Sequence, residues 1–441
     1  MGLEFEDDGP RNIMQEDFLL RDQPFRISAI YNPDKPDPYE PLMYGKQHAE
    51  FYEKFFIQPL KRKENKQVIG SIWSTQTAAD WRGFGKSMLM AEEAKGVCRD
   101  FGLKVLRSFK VKEDNAKANP ILAGYCTFDQ AKDIKNFAAA LLDAVAFILD
   151  QHYGDDGLSV HQELRRRIAE KSNAEEGFEG ESVRTALRKQ LRAYKTLNVQ
   201  LSHKTLDQFI EHLSGDDTEA LTSFIRNEIG PRIKATQGFN FVHVFNTYAI
   251  CAGIVSVTYF VDQIENFAKW AKNQDREIKI LRESMVQTSP TSEMASFVFQ
   301  MHADAMKYIE DWWESSEHLP SLDFEQPINR TRTINLLGLR TTEEAKTLAT
   351  RYLKEYRPEG VKEPRDPLHP FSEEIIKMVR DATKGNPRKF LEMLGQIIEH
   401  AVSHNERTID LILVESLIGE GSQDASDDEP EDDEDFENEE E

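Results

Sequence analysis

The chain has 441 residues, of which 39% are hydrophobic, so it is long enough for two or three domains and can build a sizeable core. Its formal net charge is −23, and residues 424–441 alone hold 13 acidic side chains and no basic one, which leaves −10 for the rest of the chain. This balance argues against a protein that holds DNA by bulk positive charge, although a local basic face stays open.

The cysteine content and the apolar segments bear on the compartment. Cys98, Cys126 and Cys251 lack the spacing of metal ligands and cannot all pair, which indicates free thiols in a reducing environment. The first eight residues are acidic and lack the features of a signal peptide, so a cytoplasmic protein is expected. The longest apolar stretch, residues 239–261, is interrupted by polar side chains and is too short to span a membrane. We expect a buried helix leading into a buried strand, and no membrane association.

The front of the chain combines an arm with the start of an alternating pattern. Residues 1–42 are polar and rich in proline, which predicts an extended arm whose order depends on docking. Over residues 45–60 apolar positions recur every three or four residues, which predicts an amphipathic helix. Short apolar runs then alternate with helical periodicity. Strands are predicted at residues 68–73, 121–128, 257–262, 296–300 and 333–337, and helices at residues 86–101 and 134–149.

This alternation defines the predicted organisation. Strands separated by helices favour an α/β fold with a parallel sheet, here spanning residues 43–340. Residues 151–237 are charged and helical in pattern, so they form a predicted helical insertion within that core. Residues 341–420 are predicted to form an all-helical C-terminal domain. Residues 421–441 cannot bury enough apolar surface to order and are predicted to be a disordered acidic tail.

The segment Arg82-Gly83-Phe84-Gly85-Lys86-Ser87 has the composition of a phosphate-binding loop. Such a loop needs glycines so that backbone N–H groups can approach phosphate oxygens, a lysine for the outer phosphates and a hydroxyl for Mg²⁺. A predicted strand precedes it, and a predicted helix with its favourable N-terminal dipole follows it. Asp80 stands where the full pattern has glycine, and it brings negative charge near the phosphates. The candidate ATP-binding residues are Gly83, Phe84, Gly85, Lys86, Ser87 and Met88.

A carboxylate ends the predicted strand at residues 257–262. In phosphate-loop proteins an aspartate in this position orders Mg²⁺, and a glutamate that follows it polarises the attacking water. Asp262 matches the aspartate, so Ser87 and Asp262 are the candidate Mg²⁺ ligands. Gln263 stands where the glutamate is expected, and Glu265 follows two positions later. Because glutamine can orient water but cannot take its proton, either Glu265 acts as the base or hydrolysis is slow.

A family resemblance comes from the motif at residues 384–388, Lys-Gly-Asn-Pro-Arg. It resembles the sensor-2 motif in the lid of AAA+ ATPases, particularly the initiator-like, origin-recognition group and its STAND relatives. The resemblance implies a parallel-sheet P-loop NTPase core of the AAA+ type with a helical lid, and it implies that Arg388 contacts the γ-phosphate. By position, sensor 1 is His302 or Gln300, with His302 preferred. An arginine finger for a neighbouring subunit is then Arg330 or Arg332.

The expected function is an ATP-dependent switch or motor that requires Mg²⁺ and acts on a protein or nucleic-acid partner. The resemblance is compatible with a homo-oligomer, and output would pass through the helical insertion or the acidic tail. One alternative is a scaffold that binds ATP with little or no hydrolysis, because Asp80 and Gln263 depart from the usual pattern. A small-molecule kinase that uses the same loop is a weaker alternative, since no substrate-binding constellation is visible.

The insertion contains a group of arginines with two interpretations. They could contact nucleic acid, or they could lie on a solvated helical face among acidic neighbours such as Glu163 and Glu170, and the second interpretation is favoured. The group consists of Arg165, Arg166, Arg167, Arg188 and Arg192.

Overall fold

The computed structural model describes residues 12–26, 38–62, 66–74, 83–128, 136–194, 204–230, 235–264, 291, 293–300, 333–360 and 362–424. They fall into two compact units. The larger unit is formed within Tyr44–Leu337, and the smaller one within Met1–Ile30, Asp37–Met43 and Gly338–Glu441.

The strands confirm the predicted α/β class. They are β1 (Ile69–Trp73), β2 (Ile121–Thr127), β3 (His152–Tyr153), β4 (Leu158–Ser159), β5 (Ser256–Asp262), β6 (Ala295–Gln300) and β7 (Thr333–Asn335). Five of them form one parallel sheet in the order β2-β5-β6-β1-β7. Strands β1, β5 and β6 are buried along their whole length, which explains why they appear in the sequence as continuous apolar runs. Because the strands are parallel, their carboxyl ends lie at one edge of the sheet.

The helices of the larger unit cover this sheet and continue into the insertion. They are α2 (Lys46–Tyr52), α3 (Gln58–Lys61), α4 (Lys86–Asp100), α5 (Leu103–Ser108), α6 (Glu113–Ala118), α7 (Phe137–Asp150), α8 (Val160–Lys171), α9 (Glu179–Ala193), α10 (Lys204–Ser214), α11 (Thr218–Ser223) and α12 (Ala235–Ala252), numbered after α1 (Ile13–Glu16). A π-helical turn, Glu53–Ile57, joins α2 to α3, so the helix predicted at residues 45–60 is present with one distorted turn. No helix in the described ranges is long and apolar enough to cross a membrane.

Two close contacts fix the sheet against its helices. Gly124 in β2 has no side chain because a Cβ there would lie 2.8 Å from the carbonyl oxygen of Ala144 in α7. On the other side of the sheet, the ring of Phe51 in α2 stacks on Phe260 in β5 with 5.4 Å between centroids. Strands β2 and β5 are therefore packed directly against helices on both faces of the sheet.

The insertion shares the core of the sheet and is not a separate globule. Apolar side chains of α8, α9 and α10 belong to the same buried cluster as those of α7, α12 and β5. Its helical character is confirmed, but it opens with a two-stranded hairpin, β3 and β4, that the sequence pattern did not predict. Gly154 and Gly157 in that hairpin adopt positive φ angles of 62° and 74°, which glycine tolerates at a tight turn.

The smaller unit consists of helices and the described part of the N-terminal arm. The helices are α13 (Thr342–Glu355), α14 (Glu373–Ala382), α15 (Pro387–Ser403) and α16 (Leu411–Asp424). The described residues of the arm include the short helix α1 and pack on these helices. Phe18 and Leu20 are fully buried, the Phe25 ring stacks on Tyr352 at 5.9 Å, and the Gln23 side-chain amide donates to the carbonyl of Gly395 at 2.8 Å.

Candidate nucleotide-binding site

The described part of the candidate phosphate loop begins at Gly83, and its glycines have positive φ angles. Gly83 and Gly85 have φ angles of 85° and 72°, in the left-handed region that glycine adopts without steric cost. Gly85 directly precedes α4, which has no side-chain cap and no acidic residue in its first turn. The first N–H groups of a helix lack partners within the helix, and its dipole favours an anion there. The start of α4 is therefore suited to bind phosphate.

Lys86 is the first residue of α4 and lies over the end of β1. Its side chain is 5% exposed, and its Nζ donates to the hydroxyl of Ser74 at 3.0 Å. Ser74 follows β1 directly. The Tyr44 hydroxyl donates to the carbonyl of Gly85 at 2.9 Å and so fixes the loop from the side of α2. These contacts hold the lysine at the carboxyl edge of the sheet.

Asp262 is the last residue of β5 and is 1% exposed. Its Oδ2 accepts a hydrogen bond from the Tyr125 hydroxyl at 2.7 Å, and its Oδ1 accepts one from the Gln263 backbone N–H at 2.9 Å. The Ser87 hydroxyl also donates to this carboxylate. Burial raises the pKa of Asp262, while these three donors and the charge of Lys86 oppose the shift.

Two glutamines lie beside Asp262 at the same edge. Gln263 has a φ of 56°, a conformation that is uncommon outside glycine, and its backbone N–H also donates to Oε1 of Gln300 at 3.2 Å. Gln300 ends β6, the strand between β5 and β1. The ends of three neighbouring strands therefore bring Ser74, Asp262 and Gln300 together around the start of α4.

The oxygen donors of this site fit Mg²⁺. The Ser87 hydroxyl and the Asp262 carboxylate contact each other, so one ion can reach both, and hard oxygen ligands are those that Mg²⁺ prefers. No group of three or more histidine, cysteine or carboxylate side chains that could hold a metal occurs within the described residues. An ion here would thus take further ligands from phosphate and water, which is the usual situation of Mg²⁺ bound with a nucleotide.

A buried carboxylate further along α4 fixes this helix to α2. Glu93 is 6% exposed and accepts from the Tyr52 hydroxyl at 2.5 Å, and His48 Nε2 lies 2.6 Å from its other oxygen. Burial and the neighbouring Glu93 raise the pKa of Tyr52. This cluster orients the helix that carries Lys86.

Comparisons with known proteins add a distant similarity. No protein-family model and no curated protein matches the chain by sequence. Two solved structures are similar in fold, those of the Aeropyrum pernix ORC2 protein in its ADP form and in its ADPNP-ADP complexes. The first has a TM-score of 0.47 at 11% identity and covers 91% of this chain and 73% of that chain; for the second the values are 0.46, 12%, 91% and 72%.

Several predicted site residues lie outside the described part of the chain. Their roles stay predictions, and so does the expected effect of the negative charge of Asp80 near the phosphates. These residues are Asp80, Arg82, Glu265, His302, Arg330 and Arg332. Of the described candidates, Lys86, Ser87 and Asp262 come together, Phe84 is buried, and Met88 lies in the first turn of α4.

The segment that resembles a sensor-2 motif leads into the start of α15. Asn386 caps α15 by accepting from the backbone N–H groups of Arg388 and Lys389, and Pro387 is the first residue of the helix. Gly385 has a φ of 72°, and a Cβ there would lie 2.6 Å from the carbonyl of Leu339. Arg388 donates to Glu392 at 2.8 Å. It belongs to the smaller unit, and its contact with the γ-phosphate remains a prediction.

The solvated-face interpretation of the insertion arginines is wrong for Glu163. This side chain is fully buried, and it accepts from Arg166 at 2.7 and 2.8 Å and from Arg167 at 2.8 Å. Arg165 donates to the carbonyl of Ser214 at 3.0 Å. Burial of a carboxylate is expensive without such partners, and Arg166 and Arg167 supply them from the same helix, α8, whereas Arg165 links α8 to the end of α10. Further along, Arg188 pairs with Asp207 at 3.1 Å, and Arg192 is exposed.

The sequence did not reveal Tyr125 as a residue of the site. It lies in β2, 137 positions before Asp262, and no motif includes it. The contact depends on the register in which Thr127 pairs with Asp262. The signal available in the sequence was a tyrosine near the end of a predicted strand. Without the strand order, the sequence does not show which residue that tyrosine contacts.

Proposed function

We propose that the chain is an ATP-binding protein of the AAA+ type that acts as a nucleotide-dependent switch or motor. The observation that carries this proposal is the cluster of Lys86, Ser87 and Asp262 at the carboxyl edge of a parallel sheet, beside an uncapped helix start. In open α/β sheets ligands bind outside the carboxyl ends of the strands. Lys86 would bind the outer phosphates.

Mg²⁺ is the cofactor that these residues would hold, through the Ser87 hydroxyl and the Asp262 carboxylate. When bound, it neutralises charge on the phosphates and so strengthens their binding. The chain's own contribution is to orient the carboxylate: Gln263 N–H and the Tyr125 hydroxyl each donate to one of its oxygens.

The test is the affinity for ATP, measured by titration with excess Mg²⁺. Lys86→Ala should weaken binding about 100-fold, the upper range for losing a charge-assisted bond. Lys95→Ala is the matched control, because Lys95 lies in the same helix and pairs with Glu92 at 2.9 Å, away from the loop. Its affinity should stay within about 2-fold of the parent. An unchanged affinity of Lys86→Ala would overturn the proposal.

Hydrolysis is proposed to be slow. Gln263 cannot act as a base, and its backbone is held in a left-handed conformation by bonds to Asp262 and Gln300. We assign water activation to Glu265, with Gln263 and His302 orienting the water and Arg388 contacting the γ-phosphate. The alternative function, an ATP-binding scaffold with little or no turnover, is favoured by the same features of Gln263.

Single-turnover hydrolysis separates these two functions. If Glu265 is the base, Glu265→Gln should slow the step about 100-fold or more, while ATP affinity is kept. If the chain is a scaffold, the rate of the parent protein equals that of free ATP in the same buffer. The ATPase proposal then fails and the binding proposal stands.

The partner side of the proposal concerns assembly. A homo-oligomer would allow Arg330 or Arg332 of one copy to reach the nucleotide of the next. The insertion and the acidic tail are the proposed contacts to a protein partner, and nucleic acid is a second candidate partner. Gel filtration with and without ATP tests the oligomer: an elution volume that ATP does not change argues against an arginine finger.

A further inference from the structure

The hydrogen bond between Tyr125 and Asp262 joins two strands at the proposed Mg²⁺ site. The Tyr125 hydroxyl donates to Oδ2 of Asp262 at 2.7 Å, and the tyrosine is 6% exposed. The ring of Phe147 in α7 packs edge-on against it, with 6.1 Å between the centroids. The Phe147 ring thus holds the Tyr125 ring in place, and the Tyr125 hydroxyl donates to one oxygen of Asp262, Oδ2.

We propose that Tyr125 is a positioning residue, which fixes the Asp262 carboxylate for the Mg²⁺ of a bound nucleotide. This inference rests on the proposed function and adds a residue to it that no sequence motif contains. The Gln263 N–H holds Oδ1 and the Tyr125 hydroxyl holds Oδ2, so rotation about the Cβ–Cγ bond of Asp262 is restrained from both sides.

The chemistry of Mg²⁺ gives this restraint its importance. Mg²⁺ demands near-octahedral geometry with short bonds, so a carboxylate that rotates by a small angle binds it less well. Groups that hydrogen-bond to metal-binding side chains typically contribute 10- to 100-fold in metal affinity. A phenol suits this role because it is uncharged. It orients the carboxylate and leaves its negative charge for the cation.

The experiment uses the full chain and measures ATP affinity twice, with excess Mg²⁺ and with EDTA. Tyr125→Phe removes one oxygen atom and keeps the ring against Phe147. We expect the gain in ATP affinity that Mg²⁺ produces to fall about 10-fold or more. The affinity in EDTA should change by less than about 2-fold, because the lysine and the loop are untouched.

Tyr259→Phe is the matched control. Tyr259 lies in the same sheet, is fully buried, and donates to Asn246 Oδ1 at 2.7 Å, so it loses an equivalent hydrogen bond away from Asp262. It should leave the Mg²⁺ effect unchanged. A Tyr125→Phe protein that keeps the full Mg²⁺ effect overturns the inference, and so does an equal loss of affinity in Mg²⁺ and in EDTA.

A double substitution shows whether Tyr125 acts through Asp262. In an Asp262→Asn background, Tyr125→Phe should change the Mg²⁺ effect by less than about 2-fold, because the carboxylate it positions is gone. A further loss as large as in the parent background contradicts the inference. If Tyr125→Phe alone unfolds below the assay temperature, the comparison of Asp262→Asn with the double variant still tests the inference. In these two proteins no buried carboxylate at position 262 has lost its donor.

The outcomes separate this inference from the proposed function. If the parent protein binds no ATP, or if Lys86→Ala binds as tightly as the parent, the function itself fails. If the parent binds ATP with a clear Mg²⁺ effect that Tyr125→Phe leaves intact, the function stands and only the role of Tyr125 fails.

Discussion

Asp262 and Glu163 are two buried carboxylates of the larger unit, and their hydrogen-bond partners differ in charge. Glu163 receives two guanidinium groups, from Arg166 and Arg167, so its charge is offset by ion pairs within the insertion. The three hydrogen-bond donors of Asp262 in the described chain are uncharged. Both arginine partners of Glu163 lie in its own helix, α8, so these pairs balance the buried charge within that helix. Asp262 accepts its hydrogen bonds from uncharged groups, and this difference is consistent with the Mg²⁺-binding role proposed for it.

The largest expected effect is on the structural carboxylate. Glu163→Gln replaces a fully buried carboxylate, which accepts three hydrogen bonds from the partly exposed Arg166 and Arg167, by an uncharged amide. We expect the free energy of unfolding, measured by urea denaturation, to fall by about 3 kcal/mol. The affinity of the folded protein for ATP should not change.

The control for this prediction lies on the same helix. Glu170 also pairs with Arg166, but its side chain is 59% exposed. Glu170→Gln should therefore cost no more than about 0.5 kcal/mol. Equal losses for the two variants would show that burial does not make Glu163 more important for stability than the exposed Glu170.

A second effect of similar size concerns pH and the same part of the insertion. Burial lowers the pKa of His161 to about 4; its Nε2 hydrogen-bonds to the carbonyl of Gly215, and the Tyr248 hydroxyl lies 3.2 Å from its Nδ1. The unfolded chain thus binds more protons than the folded one between about pH 4 and 6.5, so stability rises with pH in this window. Acidification from pH 7 to 4 should cost about 3 kcal/mol through this histidine.

Urea denaturation at several pH values tests this prediction. His161→Gln should flatten the pH dependence between pH 4 and 6.5, whatever its effect on stability at pH 7. His152→Gln is the control, because His152 is exposed in the hairpin, and it should keep the slope of the parent protein. A slope that survives in His161→Gln would assign the pH dependence to other groups.

Asp262 and Glu163 also show how much can be predicted from the sequence alone. The strands, the phosphate-loop helix and Asp262 were predictable because each depends on local periodicity or on a contiguous motif. Glu163 was interpreted as solvated because its neighbours in sequence are charged. Its burial depends on how α8 packs against the hairpin and the other insertion helices, and local pattern does not contain that information.

The same limit applies at the candidate site. The sequence predicted Lys86, Ser87 and Asp262 through spacing. It did not predict Tyr125 or Ser74, since their contacts require the strand order β2-β5-β6-β1-β7 and the pairing of β2 with β5. Long-range register is set by the packing of the whole sheet, and a single sequence shows only the strands themselves.

A smaller effect is expected when Asp262, the proposed Mg²⁺ ligand, is changed. Asp262→Asn removes the charge and keeps the shape, so the gain in ATP affinity that Mg²⁺ produces should fall about 10- to 100-fold. Titrations with Mg²⁺ and with EDTA measure this gain. Glu163→Gln, assayed under conditions where it is folded, is the matched exchange of acid for amide and should keep the full Mg²⁺ effect. A loss in both variants would remove the distinction between the two carboxylates.

The smallest effect is on stability at Asp262 itself, and its sign differs from that at Glu163. Burial raises the pKa of Asp262 above its unfolded value, so the folded chain holds this proton more tightly, and stability falls as pH rises through the folded pKa. At pH 7 Asp262→Asn should therefore be neutral or should stabilise the nucleotide-free protein by about 1 kcal/mol. The difference from the parent protein should shrink on acidification, as Asp262 becomes protonated. A loss of about 2 kcal/mol or more at pH 7 would show that Asp262, like Glu163, is held for structure.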